Sequence, residues 1–140
     1  MSIEQSTLVR RMYAALAAGD VTAVPDLFDP AWVNHDPSLP PLSGHDGARQ
    51  LFTILTSAFP DFHTTIEEII EEGDLVAARL THRGTHRDTF LGVPATGQPA
   101  VVTATGIFRV ANERLVENWV IFDTLGLLRQ LGVIPEPAAA

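Results

Sequence analysis

The chain has 140 residues and no cysteine, and 17 Asp and Glu residues against nine Lys and Arg give it a formal charge of −8. This length suits one domain with its own core, and the absence of cysteine excludes disulfides, thiolate metal sites and a cysteine nucleophile. The acidic balance argues against nucleic acid as a partner. No apolar run approaches the roughly 18 residues of a membrane span, and Met1–Gln5 lacks the layout of a signal peptide. We therefore expect a cytoplasmic protein with no nucleic-acid or membrane partner.

The first part of the chain reads as helices. Apolar residues at helical spacing predict an amphipathic helix over residues 4–18. Asp20 is placed to cap a second, short helix. An apolar piece, residues 31–37, turns polar and leads into a proline-rich loop. The Ser-x-x-Asp pattern that begins at Ser43 then predicts a capping box for a third helix, which ends at Pro60.

The rest of the chain is mostly strand. Residues 62–70, 75–81, 100–110 and 115–123 have the β-branched and apolar composition of strands, and a glycine- and proline-bearing loop covers residues 84–99. A closing helix follows at 124–132. Helices first and an antiparallel meander second predict an α+β fold. We expect one domain over residues 1–134 and a frayed tail at 135–140.

The strand at 115–123 is the predicted centre of the sheet, because both of its faces are largely apolar. Its alternation puts Leu115, Glu117, Trp119, Ile121 and Asp123 in one row, which is mostly apolar before it ends in Asp123. A carboxylate in that row is costly to bury as an ion unless it is hydrogen-bonded or its pKa shifts, which is the environment of a general base. Asp123 is also well placed to cap the helix that starts at Thr124. Both interpretations remain open.

Other polar residues are weaker candidates. Asn34 and His35 end an otherwise apolar piece, and a lone histidine there is more often structural than catalytic. Arg79 lies within a strand, where it would need a carboxylate partner such as Asp123 if buried, or else it lies exposed at an edge. His82 and His86 do not share a helix, so we predict no metal site. The sequence has no nucleophile elbow, phosphate loop or dinucleotide fingerprint. If the protein is an enzyme, we therefore expect it to work without a metal or cofactor.

Several segments in order along the chain resemble the SnoaL-like polyketide cyclase (ester cyclase) family of the NTF2-like superfamily. They are Phe59-Pro60-Asp61-Phe62, Glu71-Glu72-Gly73-Asp74-Leu75-Val76, Arg79-Leu80-Thr81, Gly84-Thr85-His86, Phe90-Leu91-Gly92-Val93-Pro94-Ala95-Thr96-Gly97, Glu117-Asn118-Trp119 with Asp123, and Gly126-Leu127-Leu128-Arg129-Gln130-Leu131-Gly132.

The resemblance implies a cone-shaped α+β barrel, with a curved antiparallel sheet wrapped over the N-terminal helices around an apolar pocket. It implies a homodimer or homotetramer, a small hydrophobic polyketide-like substrate and no cofactor. Asp123 matches an aspartate that acts as acid and base in an intramolecular aldol ring closure, and His35 matches a common pocket position. We expect Asn34, Arg79 and His86 to contact substrate as well.

Aromatic side chains should line such a pocket, because a polycyclic ligand requires burial of aromatic area. The candidates are Trp32, Phe59, Phe62, Trp119 and Phe122. Strand alternation makes Trp119 and Phe122 face opposite ways, so at most one of them is expected in the pocket. The uncharged row Val101, Thr103, Thr105 predicts self-association through one sheet face.

Other functions remain open. Limonene-epoxide hydrolases, a related branch, use an Asp-Arg-Asp set; Arg79 and Asp123 match two members, but Thr81 replaces the third. Ketosteroid-isomerase-like proton transfer needs a base and an acidic oxyanion partner. Tyr13, the one tyrosine, lies on the first helix, so the sequence offers no clear buried tyrosine for that partner. The chain departs from the family pattern at the turn Ala111-Asn112-Glu113-Arg114, which lacks the glycine usual in that hairpin. A non-catalytic protein that binds a small apolar ligand, or a purely structural oligomerisation module, would also fit.

Overall fold

A computed structural model describes residues 4–135. Within this range the helices are α1 (Gln5–Ala18), α2 (Val24–Leu27, preceded by a 3-10 turn), α3 (Gly44–Ala58) and α4 (Thr124–Gln130). The strands are β1 (Phe28–His35), β2 (Leu42–Ser43), β3 (His63–Glu72), β4 (Leu75–Thr85), β5 (Pro99–Ala111) and β6 (Arg114–Phe122). The predicted elements are present, and residues 136–140 of the predicted tail lie outside the described range.

The six strands form one curved open sheet in the order β2-β1-β6-β5-β4-β3. The predicted central position of β6 is confirmed, since it pairs with β5 on one side and β1 on the other. The sheet is not wholly antiparallel as expected, because β1 runs parallel to β6 and sets Asn34 beside Asn118. The chain between β1 and β6 contains α3 and strands β3 to β5, so the two parallel strands are joined by a long crossover and not by a hairpin. The cone-shaped α+β fold is confirmed.

The helices begin and end largely where local chemistry predicts. α1 stops at Gly19, whose φ of 65° lets its N–H bond the carbonyls of the last turn. The capping box at the start of α3 is wrong: Ser43 makes no side-chain cap hydrogen bond, and Asp46 instead pairs with Arg49 at 3.0 Å. Ser43 is committed to β2, where it pairs with Val33. No helix within residues 4–135 has the length and apolar character needed to cross a membrane.

The core lies between the inner face of the sheet and the helices. β5 alternates regularly, with Ala100, Val102 and Ala104 buried and their neighbours exposed. In β6 the pairing register with β5 shifts after Arg109, and Leu115 and Asn118 are both buried although they are three positions apart. The expectation that both faces of β6 are covered is wrong for the single chain, since its outer face leaves Ile121 67% exposed.

Candidate active site

A cavity of about 90 Å³ lies between the helices and the inner face of the sheet. Its wall is mostly apolar, and four phenylalanines contribute to it: Phe59, Phe62, Phe90 and Phe122. The predicted lining by Phe59 and Phe62 is therefore found, and of the opposite-facing pair Trp119 and Phe122 it is Phe122 that faces inward. Helices α1 and α3 close the cavity with Met12, Leu16, Leu51 and Leu55.

Six polar side chains line this mostly apolar cavity: Tyr13, Asn34, Asp36, His82, Arg83 and Asn118. Asn34 and Asn118 lie side by side on the parallel strands β1 and β6 and are both buried. The Asn118 Oδ1 atom is buried without a hydrogen-bond partner among the described residues. A buried carbonyl oxygen of this kind is costly to leave unpaired, so a hydroxyl or N–H group of a ligand would satisfy it.

Burial shifts the acid–base behaviour of three of these groups. It raises the pKa of the Asp36 carboxyl, while hydrogen bonds from Ser38 pull that pKa partly back. Burial also raises the pKa of the Tyr13 hydroxyl, and the Asp36 charge adds to that effect. It lowers the pKa of His82 to about 4. At neutral pH, Tyr13 and His82 are therefore both uncharged, and the Nδ1 of His82 lies 2.9 Å from the Thr64 hydroxyl.

The end of β1 leads into a tight turn beside the cavity. The Asp36 Oδ1 accepts a hydrogen bond of 2.9 Å from the Ser38 N–H, and the Leu39 N–H bonds the Asp36 carbonyl. The Ser38 hydroxyl lies 3.1 Å from the Thr124 hydroxyl at the start of α4. This contact joins the turn to the strand-to-helix junction that supplies Phe122 and Leu127 to the cavity wall.

Asp123 occupies that junction but is exposed. Its Oδ1 accepts a hydrogen bond of 2.9 Å from the Gly126 N–H and caps α4. The predicted burial of Asp123 is wrong, because β6 ends at Phe122 and the next side chain turns to solvent over the first turn of the helix. Its role as acid and base stays a prediction.

His35 and Trp119 lie on the outer face of the sheet, so their predicted position in the cavity is wrong. Because Asn34 and Asn118 point inward, their chain neighbours point outward. The His35 Nε2 lies 2.7 Å from a Glu117 carboxylate oxygen, and its ring stacks on Trp119 with centroids 5.4 Å apart. Both residues border an open groove together with Val33, Ile121 and residues of the segment 37–43. Asn34 and Asp36 line this groove as well as the cavity.

Three further predicted contacts with substrate lie away from the cavity. Trp32 is fully buried in the core, where its ring meets Phe28 at 4.9 Å. Arg79 is exposed and pairs with Glu68 at 2.7 Å rather than with Asp123. His86 is fully buried, with its Nδ1 2.9 Å from the Thr96 hydroxyl, so it fixes the loop before β5.

Of the six polar cavity residues, sequence reasoning placed only Asn34 in the cavity. Asp36 follows Asn34 by two positions, the spacing that keeps a strand side chain on one face. Tyr13 stands next to Met12 in the apolar stripe of α1. The expectation that its position on that helix counts against a role as an oxyanion partner is wrong, because Tyr13 is buried and lines the cavity. Asn118 shares the inward row of Val120 and Phe122. His82 carried no distinguishing pattern.

The described part of the chain contains no evident metal-binding cluster. Among residues 4–135, no three His, Asp or Glu side chains come together in a way that could hold a metal ion. The polar groups of the cavity are one carboxylate, one phenol, one neutral imidazole, two amides and the guanidinium of Arg83, a residue that is exposed overall. Such a set can move protons and bind oxygen atoms of an otherwise apolar ligand.

Comparison with known proteins finds similar sequences and structures that are described as cyclases. The profile that describes the SnoaL-like polyketide cyclases matches residues 6–131. The chain is 30% identical over 134 residues to aklanonic acid methyl ester cyclase DnrD of Streptomyces peucetius, covering 91% of this chain and 90% of that one. It is also similar to two solved structures. Wild-type IdmH of Streptomyces antibioticus is 35% identical with a TM-score of 0.80 (93% of this chain, all of that one). TsrD of Streptomyces laurentii is 27% identical with a TM-score of 0.84 (95% of this chain, all of that one).

Proposed function

Since the chain belongs to the SnoaL-like polyketide cyclase family, we propose that it closes a ring in a hydrophobic, polyketide-like substrate by acid–base catalysis without a cofactor. The observation that carries the proposal is the apolar cavity with its small polar set. An intramolecular aldol reaction needs a base for a carbon next to a carbonyl and hydrogen-bond donors for the oxygen that becomes negative. An apolar wall strengthens both interactions by excluding water.

The cavity constrains how such a substrate binds. At about 90 Å³ it is smaller than an engineered cavity of roughly 150 Å³ that holds benzene. We therefore propose that the reacting carbonyl end enters the cavity, and that the turn at 36–39 and the start of α4 separate to admit it. The contact between the hydroxyls of Ser38 and Thr124 is what has to open.

The test is conversion of aromatic polyketide esters that carry a ketone, beginning with aklanonic acid methyl ester, the substrate named for the relative. An aldol addition loses no atoms, so the expected product has the substrate's mass, a new retention time and one ketone fewer. Binding without conversion across the panel would favour the non-catalytic ligand-binding alternative.

We propose Asp123 as the acid and base of this reaction, because it matches the aspartate that has this role in the family. Asp123→Asn keeps the oxygen that accepts from Gly126 but cannot take a proton. If the family role holds, turnover should fall by about 10²- to 10⁴-fold while ligand affinity stays within about twofold. Turnover equal to that of the parent would leave Asp123 as a helix cap alone.

One observation favours a second candidate function. Tyr13 is a buried phenol in the same cavity as Asp36, which is the pairing of donor and base that proton transfer of the ketosteroid-isomerase type requires. Exchange of a substrate C–H for deuterium without ring closure would identify this activity.

A further inference from the structure

His82 is the residue of strand β4 that presents a ring with two nitrogen atoms to the cavity. It lies in the same row of the strand as Val76 and Leu80, which are both buried, so its ring faces the inner side of the sheet. There the ring packs beside Phe62, with centroids 5.2 Å apart, and its centroid lies 6.0 Å from that of Tyr13. The imidazole is therefore held in the cavity wall by contacts from α1 and from the chain just before β3.

The two ring nitrogens of His82 have different surroundings. Nδ1 lies 2.9 Å from the hydroxyl of Thr64, which the pairing of β3 with β4 sets directly opposite. Nε2 has no hydrogen-bond partner among residues 4–135, and it keeps accessible surface where the ring lines the cavity. A neutral imidazole has one donor and one acceptor nitrogen, so Nε2 is the nitrogen that remains for a ligand.

The hydrogen bond with Thr64 decides which nitrogen of His82 carries the proton. Within residues 4–135 the Thr64 hydroxyl has no other partner, so its proton is used only if it is donated to Nδ1. Nδ1 is then the acceptor of the ring, and Nε2 carries the N–H group. Burial lowers the pKa of His82 to about 4, so the ring keeps this division of roles at neutral pH. The cavity thus receives one N–H donor from His82.

His82 lies at the level of the sheet where β6 turns into α4. It pairs with Val102 of β5, and the carbonyl of the next residue, Thr103, accepts a hydrogen bond of 2.9 Å from the Asp123 N–H. Strands β4 and β6 flank β5, so His82 and this junction stand roughly 10 Å apart, which is two strand spacings. A ligand that reacts near the junction can therefore place a second oxygen at His82.

We propose that His82 is a substrate-binding residue whose Nε2–H donates a hydrogen bond to a carbonyl oxygen of the ligand, while Thr64 fixes the orientation of the ring. The assignment rests on the proposed function and names the chemistry of one of its contacts. An intramolecular aldol reaction joins two carbonyl groups, and His82 holds the oxygen of one of them without transferring a proton. Asp123 keeps its proposed role as acid and base.

A matched pair of small probes tests this contact without the natural substrate. Cyclopentanone and methylenecyclopentane have nearly the same shape, and only the ketone accepts a strong hydrogen bond. NMR titration gives the affinity for each probe, and the ratio of the two affinities is the ketone preference. The variant His82→Phe keeps an aromatic ring beside Phe62 but removes both nitrogens. We expect its ketone preference to fall by about two- to tenfold, while its affinity for the hydrocarbon stays within about twofold of the parent.

Two further variants and one measurement on the parent serve as controls. Glutamine offers an N–H group near the place of Nε2, so His82→Gln should keep part of the preference. His63 is exposed and precedes Thr64 on β3, so His63→Phe should keep all of it. In the parent, the nitrogen NMR signal of the His82 Nε2–H should shift with cyclopentanone well beyond its shift with the hydrocarbon. This last measurement decides the point even if His82→Phe does not fold.

The assignment is overturned if His82→Phe keeps the ketone preference of the parent, if His63→Phe loses it, or if the His82 signal of the parent responds equally to both probes or to neither. A parent that binds the ketone through His82 but cyclises no polyketide ester would leave the carbonyl contact standing and remove the proposed function. A parent that cyclises such an ester, with an unchanged ketone preference in His82→Phe, would keep the proposed function and remove this assignment.

Discussion

The two faces of β6 carry similar kinds of side chain and have different surroundings. Inward, Asn118, Val120 and Phe122 line the cavity. Outward, Trp119 and Ile121 border an open groove. A mostly apolar row with one polar member therefore describes either face, and only the pairing of β6 with its neighbours decides which row meets a ligand.

The two tryptophans give the largest contrast between inside and outside. Trp32→Ala should lower the free energy of unfolding by about 3–5 kcal/mol, because it leaves a large void beside Phe28 in the core. Trp119→Ala removes a ring that packs on His35 and lies under Arg109 at the outer face, and should cost about 1 kcal/mol. Urea unfolding followed by circular dichroism measures both, and equal losses would contradict the assignment of the faces.

The burial of His82 on the inner face of the sheet should make the stability of the fold depend on pH. Its folded pKa is about 4 against an ordinary 6.5, so below about pH 6.5 the unfolded chain binds a proton that the folded chain does not. Stability from this group is complete above that pH and falls as pH falls, by about 2 kcal/mol between about pH 7.5 and pH 5.

The variant His82→Gln should lose less stability than the parent over the same pH range, since the group that titrates is gone. Its difference from the parent at about pH 7.5 measures the change in packing alone. Unfolding curves at the two pH values decide the point, and parallel losses in parent and variant would show that His82 does not titrate as its burial implies.

The smallest effect is expected for self-association through the outer face of the sheet. Exposed Val33, Val101, Ile107 and Ile121 lie on the neighbouring strands β1, β5 and β6, and we propose that a second copy covers them. Ile121→Arg should weaken association at least about tenfold, or about 1.4 kcal/mol. Ile70→Arg, equally exposed at 65% but on the edge strand β3, should leave it unchanged. Sedimentation at micromolar concentrations compares them, and a parent that sediments as a monomer refutes the proposal.

Much of the fold could be predicted from local sequence patterns. The apolar stripe of α1, the left-handed glycine after it and the alternation of β5 are properties of a few consecutive residues, and they predicted their elements correctly. The capping box at Ser43 failed because Ser43 is drawn into β2, which depends on a distant partner. The hairpin turn without glycine still forms, with Asn112 and Glu113 at φ of 53° and 61°.

The candidate site was harder to predict because it depends on register between segments far apart in the chain. Phe59, Phe62 and Asn34 were expected in the cavity and line it. The inward position of Asn118 instead of Trp119 follows from a shift in the β5–β6 pairing, and no local pattern reports such a shift. Tyr13 from α1 and Asp36 from the turn after β1 line one cavity only once the whole fold has formed.

The parallel pairing of β1 with β6 has a consequence for how the chain folds. His35 and Glu117, which meet across this pair, are 82 positions apart, whereas β3, β4, β5 and β6 join through neighbouring hairpins. Closing the longer loop costs more chain entropy, so we expect the meander to form first and β1 to add last. Until it does, β6 is an open edge that can pair with another chain, and Asn34 and Asp36 do not yet line the cavity. The wall of the cavity is then completed by the final step of folding.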